Sequence, residues 1–296
     1  MSTFFNNILP RRTHPRLVPA GPKLARGRLI YNPFMAHVDK HAAGDFCWIE
    51  LATSDQNAAK TFYGSLFGWA PNDMPMGPDG FYTIFRLQGK DAAAGYTILA
   101  DEREQGIPPH WNLYIAVDNA DRAADKAATL GAKVLAPAFD VMDAGRMSVL
   151  QDPTGAVFTV WQAKRNAGIG IAGEPGTLCW ADLSTGDPAR AQKFYSDLFG
   201  WEIAPGEKDP SGYLHIKNGD HFIGGIPPAH VRDPKSPPHW LIYFYVADVD
   251  ASAAKAKELG ANFYVPPMSI EGVGRMAIMA DPQGAVSAIF KDSPKH

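Results

Sequence analysis

From residue 46 the chain alternates. Cys47, Ile49 and Leu51 make one apolar face while Trp48, Glu50 and Ala52 point the other way, as in a half-buried strand. Asp55 then stands where a helix N-cap belongs. Behind it Ala58, Ala59, Phe62, Tyr63 and Leu66 fall at helical spacing, and Gly68 stops the run. Strands are expected near Trp69, over 81–87 and over 95–99, separated by Pro/Gly turns such as that at 76–80. The same order restarts at His110. Trp111, Leu113, Ile115 and Val117 form the apolar face there, with His110, Asn112 and Tyr114 opposite. A helix over 120–130 and strands near 133–136, 146–150 and 157–162 follow, so each stretch reads as a βαβββ unit.

The whole scheme then repeats about 130 residues later. Residues 45–69 and 177–201 share 12 of 25 aligned positions, including Cys-Trp at the strand, Phe-Tyr in the helix and Leu-Phe-Gly-Trp at its end. Pro-Pro-His-Trp, Leu-Gly-Ala, Gly-Arg-Met and Asp-Pro-x-Gly-Ala recur downstream in the same order. A period this long indicates domain duplication rather than a solenoid. The expected organisation is an arm over 1–44, a domain over 45–163, a linker over 164–176 and a second domain over 177–292. The expected fold class is α+β: paired βαβββ units forming two similar curved-sheet domains with helices on the outer face. Hairpin-short connections after each first helix imply mixed or antiparallel pairing, and the other sheet face is free to line a pocket.

Composition changes this picture little. A chain of 296 residues with 46% hydrophobic content can bury two sizeable cores. The net charge of -3 gives no general attraction to nucleic acid or to an anionic membrane, and no run approaches the ~18 apolar residues of a membrane helix. The first 44 residues differ: seven basic side chains face one acidic one, and five prolines interrupt them. An arm or extended strap is expected there, with an acidic-partner or targeting role as the alternative. No secretory signal is expected. Met35 offers a second possible start, and deleting 1–34 is expected to leave stability within ~1 kcal/mol. Cys47 and Cys179 occupy matching positions, so they are expected as buried free thiols facing the helices, in a reducing, cytoplasmic setting.

Strand alternation also yields a pocket side. In the first domain it comprises Trp48, Glu50, His110, Asn112, Tyr114, Arg146, Ser148, Thr159 and Trp161. In the second it comprises Trp180, Asp182, His239, Leu241, Tyr243, Tyr245, Arg275, Ala288 and Phe290. Glu50 with His110, and Asp182 with His239, are candidate acid–base pairs. Trp48, Asn112, Tyr114, Arg146, Thr159, Trp161, Trp180, Tyr243 and Arg275 are candidate ligand-binding residues, since aromatic walls with a few convergent polar groups make a binding pocket. Structural alternatives stand beside these. Glu50–Arg146 and Asp182–Arg275 could be ion pairs that tie strands, both His residues could bond a rim loop, and both Trp residues could plug the clefts. His215, His221 and His230 are expected in or near second-domain loops.

The strand, Asp, Phe-Tyr helix, Leu-Phe-Gly-Trp and late Asp-Pro-x-Gly together resemble the vicinal oxygen chelate superfamily, which includes glyoxalase I, bleomycin-resistance proteins and extradiol dioxygenases. The resemblance covers about 45–292. It implies one divalent metal per catalytic cleft, held by His, Gln or Glu on the first and last strands of the units. The matching positions here are Trp48, Asn112 and Thr159 in the first domain and Trp180, Leu241 and Ala288 in the second. Neither 95–98 nor 222–226 supplies a usual ligand, so no metal and no cofactor is expected. Three functions follow: a small-molecule binder with a Trp-lined cleft; a lyase, isomerase or hydroxylase using Glu/His chemistry or an unrecognised metal; and a structural protein with filled clefts. Duplication within one chain implies a monomer or weak homodimer.

Overall fold

Four strand–helix–three-strand units follow one another. The computed structural model describes residues 38–76, 80–206 and 210–293, so most of the basic arm, with the Met35 start, lies outside the described residues. The first unit is β1 (Phe46–Thr53), α1 (Gln56–Phe67), β2 (Ala70–Pro75), β3 (Phe81–Leu87) and β4 (Lys90–Thr97). A short helix α2 (Ala100–Glu104) leads to β5 (His110–Ala116), α3 (Ala120–Thr129), β6 (Lys133–Val141), β7 (Gly145–Gln151) and β8 (Val157–Ala163). The second domain opens with β9 (Leu178–Ser184), α4 (Pro188–Phe199), β10 (Glu202–Pro205), β11 (Leu214–Asn218) and β12 (His221–Ile226). After a 3-10 turn at Ala229–Val231 come β13 (His239–Tyr245), α5 (Val249–Glu258), β14 (Asn262–Ile270), β15 (Gly274–Ala280) and β16 (Val286–Asp292).

Each domain is one eight-stranded sheet, ordered β2-β3-β4-β1-β5-β8-β7-β6 and β10-β11-β12-β9-β13-β16-β15-β14. At the centre β1 and β5 run antiparallel, and each has the last strand of its own unit parallel beside it. The fold is therefore α+β with paired βαβββ units. Asp55 caps α1 by accepting from the Asn57 and Ala58 amides, and Gly68 ends it at φ 75, a left-handed conformation that costs glycine least. Asp187, Pro188 and Gly200 do the same for α4. The strand expected over 95–99 instead starts at Lys90, because the buried run Ala92–Ala94 already pairs with β3.

The expectation of two cores is corrected: most buried apolar side chains of both domains form one continuous cluster, with a small second one around Leu241, Tyr243, Met276 and Ala288. The helix-bearing faces meet. Phe244 of β13 sits 4.8 Å from Phe67, 5.5 Å from Trp69 and 5.3 Å from Trp111, ring centre to ring centre. In return, Phe46 approaches Trp240 at 5.5 Å and Trp201 at 5.8 Å, and Phe158 approaches Tyr195 at 5.5 Å. The repeated Phe-Tyr and Asp-Pro-x-Gly motifs find each other here. Tyr63 donates to Asp281 Oδ2 at 3.0 Å, and Tyr195 donates to Asp152 Oδ2 at 2.9 Å. The other oxygen of each aspartate ties its own turn, accepting three backbone amides. Both motifs are thus a reciprocal interdomain latch. The stretch over 164–176 is also more than a spacer, since Ile169 and Ile171 are buried and Ile169 N donates to Cys47 O at 2.8 Å. No helix among the described residues is long and apolar enough to cross a membrane.

Candidate functional site

Strand register fixes which side chains share the concave face, because directly opposed residues point the same way. Trp48 stands opposite Tyr114, and Tyr114 stands beside Thr159. Glu50 stands opposite Asn112 and beside Ala94, and Ala52 stands opposite His110. The face converges on Glu50, whose side chain is buried. Tyr114 donates to its Oε2 at 2.6 Å, Tyr82 is a second hydroxyl donor, and the Trp48 indole N–H reaches the Tyr82 oxygen at 3.1 Å. The second domain repeats the arrangement. Asp182 accepts from Tyr213 at 2.6 Å and from the Trp180 indole at 3.0 Å on Oδ1, and from Tyr243 at 2.8 Å on Oδ2. Tyr213 reaches the carboxyl because it lies over Gly225, where a Cβ would come 1.9 Å from its oxygen.

These are two buried carboxyls, each held by two tyrosines; Trp180 also donates to its acid directly, whereas Trp48 donates to the Tyr82 hydroxyl. Burial pushes both above the usual carboxylate range, opposed by the hydroxyl donors. The tyrosines in turn are pushed well up, first by burial and then by the neighbouring carboxylate. Sequence reasoning missed Tyr82 and Tyr213. Tyr213 directly follows Gly212 ahead of β11, and Tyr82 is the second residue of β3, so each lies at a strand start where alternation gives no face.

The structure places the remaining candidates less uniformly. His110 and His239 lie on the concave face one row from the acids, but each turns Nδ1 to a proline carbonyl of the preceding loop, Pro108 at 2.8 Å and Pro237 at 2.9 Å. Burial lowers His239. Neither is hydrogen-bonded to its expected carboxyl partner. Thr159 is buried beside Tyr114, whereas Trp161 folds its ring over Gly145, donates to Asn166 O at 3.0 Å and lines a separate 230 Å³ hollow with His41 and Gln162.

Arg146 and Arg275 are corrections. On β7 it is Met147 and Val149 that pair with Trp161 and Thr159, so Arg146, with Ser148, points to the opposite face. Arg146 grips Asp121 of α3 through two 2.7 Å bonds, and Arg275 grips Asp250 of α5 through two of 2.6 Å. The alternative reading, ion pairs with Glu50 and Asp182, is not what forms either. Cys179 is a further correction. A bulge opposite the Tyr243–Phe244 step turns it toward the concave cluster of Leu241, Tyr243, Met276 and Ala288 rather than the helices. His215, expected in or near a loop, is the second residue of β11, beside Gly225 and 5.0 Å from the Tyr213 ring.

The duplicated βαβββ sheets, each with a buried acid on its concave face, can now be compared with known proteins. The model of the glyoxalase/bleomycin resistance protein/dioxygenase superfamily matches residues 45–160 and again 177–288. The chain belongs to this superfamily. Relatives include a Mycobacterium tuberculosis protein named "Putative glyoxylase CFP32", 43% identical over 84% of this chain and 95% of its own length. Another is the anthracycline biosynthesis protein DnrV of Streptomyces peucetius, 33% identical over 83% and 92%. Among solved structures, a Mn(II)-bound glyoxalase from Novosphingobium aromaticivorans superposes with a TM-score of 0.59 at 18% identity, covering 84% of this chain and 82% of that one. The 2,3-dioxygenase LapB of Pseudomonas sp. KL28 gives 0.60 at 13%, covering 86% and 96%. At such identities the likeness is one of fold.

A superfamily metal requires about three converging donors. Among the described residues no three His, Cys, Asp or Glu side chains do converge. Each cleft floor of this glyoxalase-like chain offers a single carboxyl whose oxygens already hold two tyrosine hydroxyls.

Proposed function

We propose that this glyoxalase-like protein binds a small aromatic or hydrophobic molecule in its concave clefts, using a tyrosine-held carboxyl in place of the superfamily's metal ligands. The observation that carries the reading is the recurrence of one buried acid with two tyrosines and a tryptophan at the same register of both sheets. On the same sheet face as each acid, across the strand that follows it, lie apolar side chains: Phe139, Met147, Val149 and Val157 in the first domain, Met276, Ile278, Val286 and Phe290 in the second. Phe139 and Val157 remain 45% and 38% exposed, which is the surface a ligand would cover. Relatives named for anthracycline biosynthesis support an aromatic ligand, since anthracyclines are polycyclic aromatics. Aromatic ligands should quench tryptophan fluorescence, and Trp48→Ala or Trp180→Ala should weaken their binding through lost ring contact. An unchanged spectrum across a broad aromatic panel would overturn the reading in favour of filled clefts, and a stoichiometric tightly bound metal would overturn the metal-free site.

One observation favours a second reading. Burial holds Glu50 and Asp182 above the usual carboxylate range, which brings them closer to a general acid or base working near neutrality. An enzyme of this kind would lose turnover in Glu50→Gln or Asp182→Asn while still binding its ligand.

A further inference from the structure

The two clefts share their floor but differ in the row of side chains above it. In the first domain Asn112 stands opposite Glu50, and Tyr96 stands two residues beyond Ala94, the strand neighbour of Glu50. Tyr96 hydrogen-bonds Asn112 and points its hydroxyl at Glu102 of α2, 3.5 Å away, while Glu102 also accepts the Leu99 amide at 3.0 Å. Asn112 and Tyr96 are both half-buried, so part of each side chain still meets solvent. In the second domain the residue opposite the acid is Leu241, and two residues beyond Gly225 stands Pro227. No amide or phenol occupies those places. Leu241, Tyr243, Met276 and Ala288 instead form an apolar cluster of their own, apart from the main core, with Trp180, Ile278, Val286 and Phe290 packed around it.

Duplication began with one site, yet the chain now presents one cleft with an amide and a phenol over its acid and another with leucine and proline there. We propose that the clefts select different ligands: the first an aromatic bearing a hydroxyl or keto oxygen, the second an unsubstituted apolar ring, with Asn112 and Leu241 setting the choice. The proposal rests on the small-molecule reading above. An amide half-buried beside a carboxyl loses its water when a ring enters and must be repaid by a polar atom on that ring, since an unpaired amide is costly. Leucine imposes no such demand, and a hydroxyl placed against it would itself be left unpaired.

The test uses the full chain, with naphthalene and 2-naphthol as probes. The Trp48 and Trp180 indole N–H signals, assigned by Trp48→Phe and Trp180→Phe, report each cleft separately in proton–nitrogen NMR titrations. At Trp48, 2-naphthol should bind about tenfold more tightly than naphthalene, the ratio one net hydrogen bond supplies. At Trp180 naphthalene should bind at least as well as 2-naphthol. Asn112→Leu should erase the preference at Trp48, and Leu241→Asn should create one at Trp180. If the second variant does not fold, the first decides. Equal preferences at both signals, or a preference that survives Asn112→Leu, would overturn the proposal while leaving the binding function standing. Failure of either probe to move either signal would overturn both.

Discussion

Glu50 and Asp182 are the side chains whose burial has the clearest solution consequence. Burial raises each carboxyl in the folded chain above its unfolded value, so the folded state binds the proton more tightly. Their contribution to stability is therefore greatest below the ordinary carboxylate range and is lost as pH rises from there through the raised folded values. Denaturant titrations at a series of pH values should show this fall, and Glu50→Gln with Asp182→Asn should flatten it. An unaltered slope in the double variant would contradict the assignment. Tyr114→Phe removes a donor that holds Glu50 down, so it should extend the fall to higher pH and cost about 1.5–3 kcal/mol, the range for a lost bond to a charged buried group. Trp48, Glu50 and Tyr114 were legible from alternation alone. Arg146 was not, because on β7 the polarity is inverted: the polar residues face α3, where Asp121 meets Arg146, and the apolar Met147 and Val149 face the cleft. Counting polar residues toward the pocket fails wherever a helix end is itself charged.

Among the elements, β1 and β9 carry the site and also the two thiols, and bulges decide where those thiols go. Each strand slips register at its cysteine, opposite Ile115–Tyr114 in one case and Phe244–Tyr243 in the other. A period-2 count from the sequence runs straight through such a slip, so it placed Cys179 on the helix side. Burial pushes both thiols well above their ordinary value, which keeps the reactive thiolate scarce. Cys47 should resist a thiol reagent until the protein unfolds. Cys179, partly exposed at the second cleft, should react slowly, and naphthalene should protect it. Rapid labelling of Cys47 in native buffer would contradict its burial. The helices were the more legible elements, because Asp and Gly mark the ends of α1 and α4 and Phe-Tyr marks their buried side. Which partner that side meets was not legible. Tyr195 crosses to Asp152 and also accepts the Trp240 indole at 3.1 Å, so Tyr195→Phe should cost about 1–3 kcal/mol although it touches neither cleft.

At the scale of the molecule, the repeat suggests two independent domains, and the packing makes them one. Duplication is visible in a sequence, but a contact between copies leaves no period behind it; only the shared core shows that the helix faces are turned toward each other. Phe244 tests this most directly. It belongs to the second sheet, is fully buried, and its ring neighbours Phe67, Trp69 and Trp111 all belong to the first domain. Phe244→Ala should cost about 3–5 kcal/mol, because the removed ring leaves a cavity walled by large aromatics that cannot easily collapse. If the domains were separate units, that cost would fall on the second domain alone and calorimetry would resolve two transitions, one displaced by the mutation. One shared core with two Tyr–Asp latches predicts instead a single transition in the wild type, with calorimetric and van't Hoff enthalpies equal, moving as a whole in Phe244→Ala. The same argument predicts that a fragment ending at residue 163 exposes Phe67, Trp69 and Trp111 together, and that it aggregates or stays unfolded rather than forming a stable single-cleft protein. A soluble fragment melting cooperatively near the temperature of the full chain would show that the clefts can stand apart.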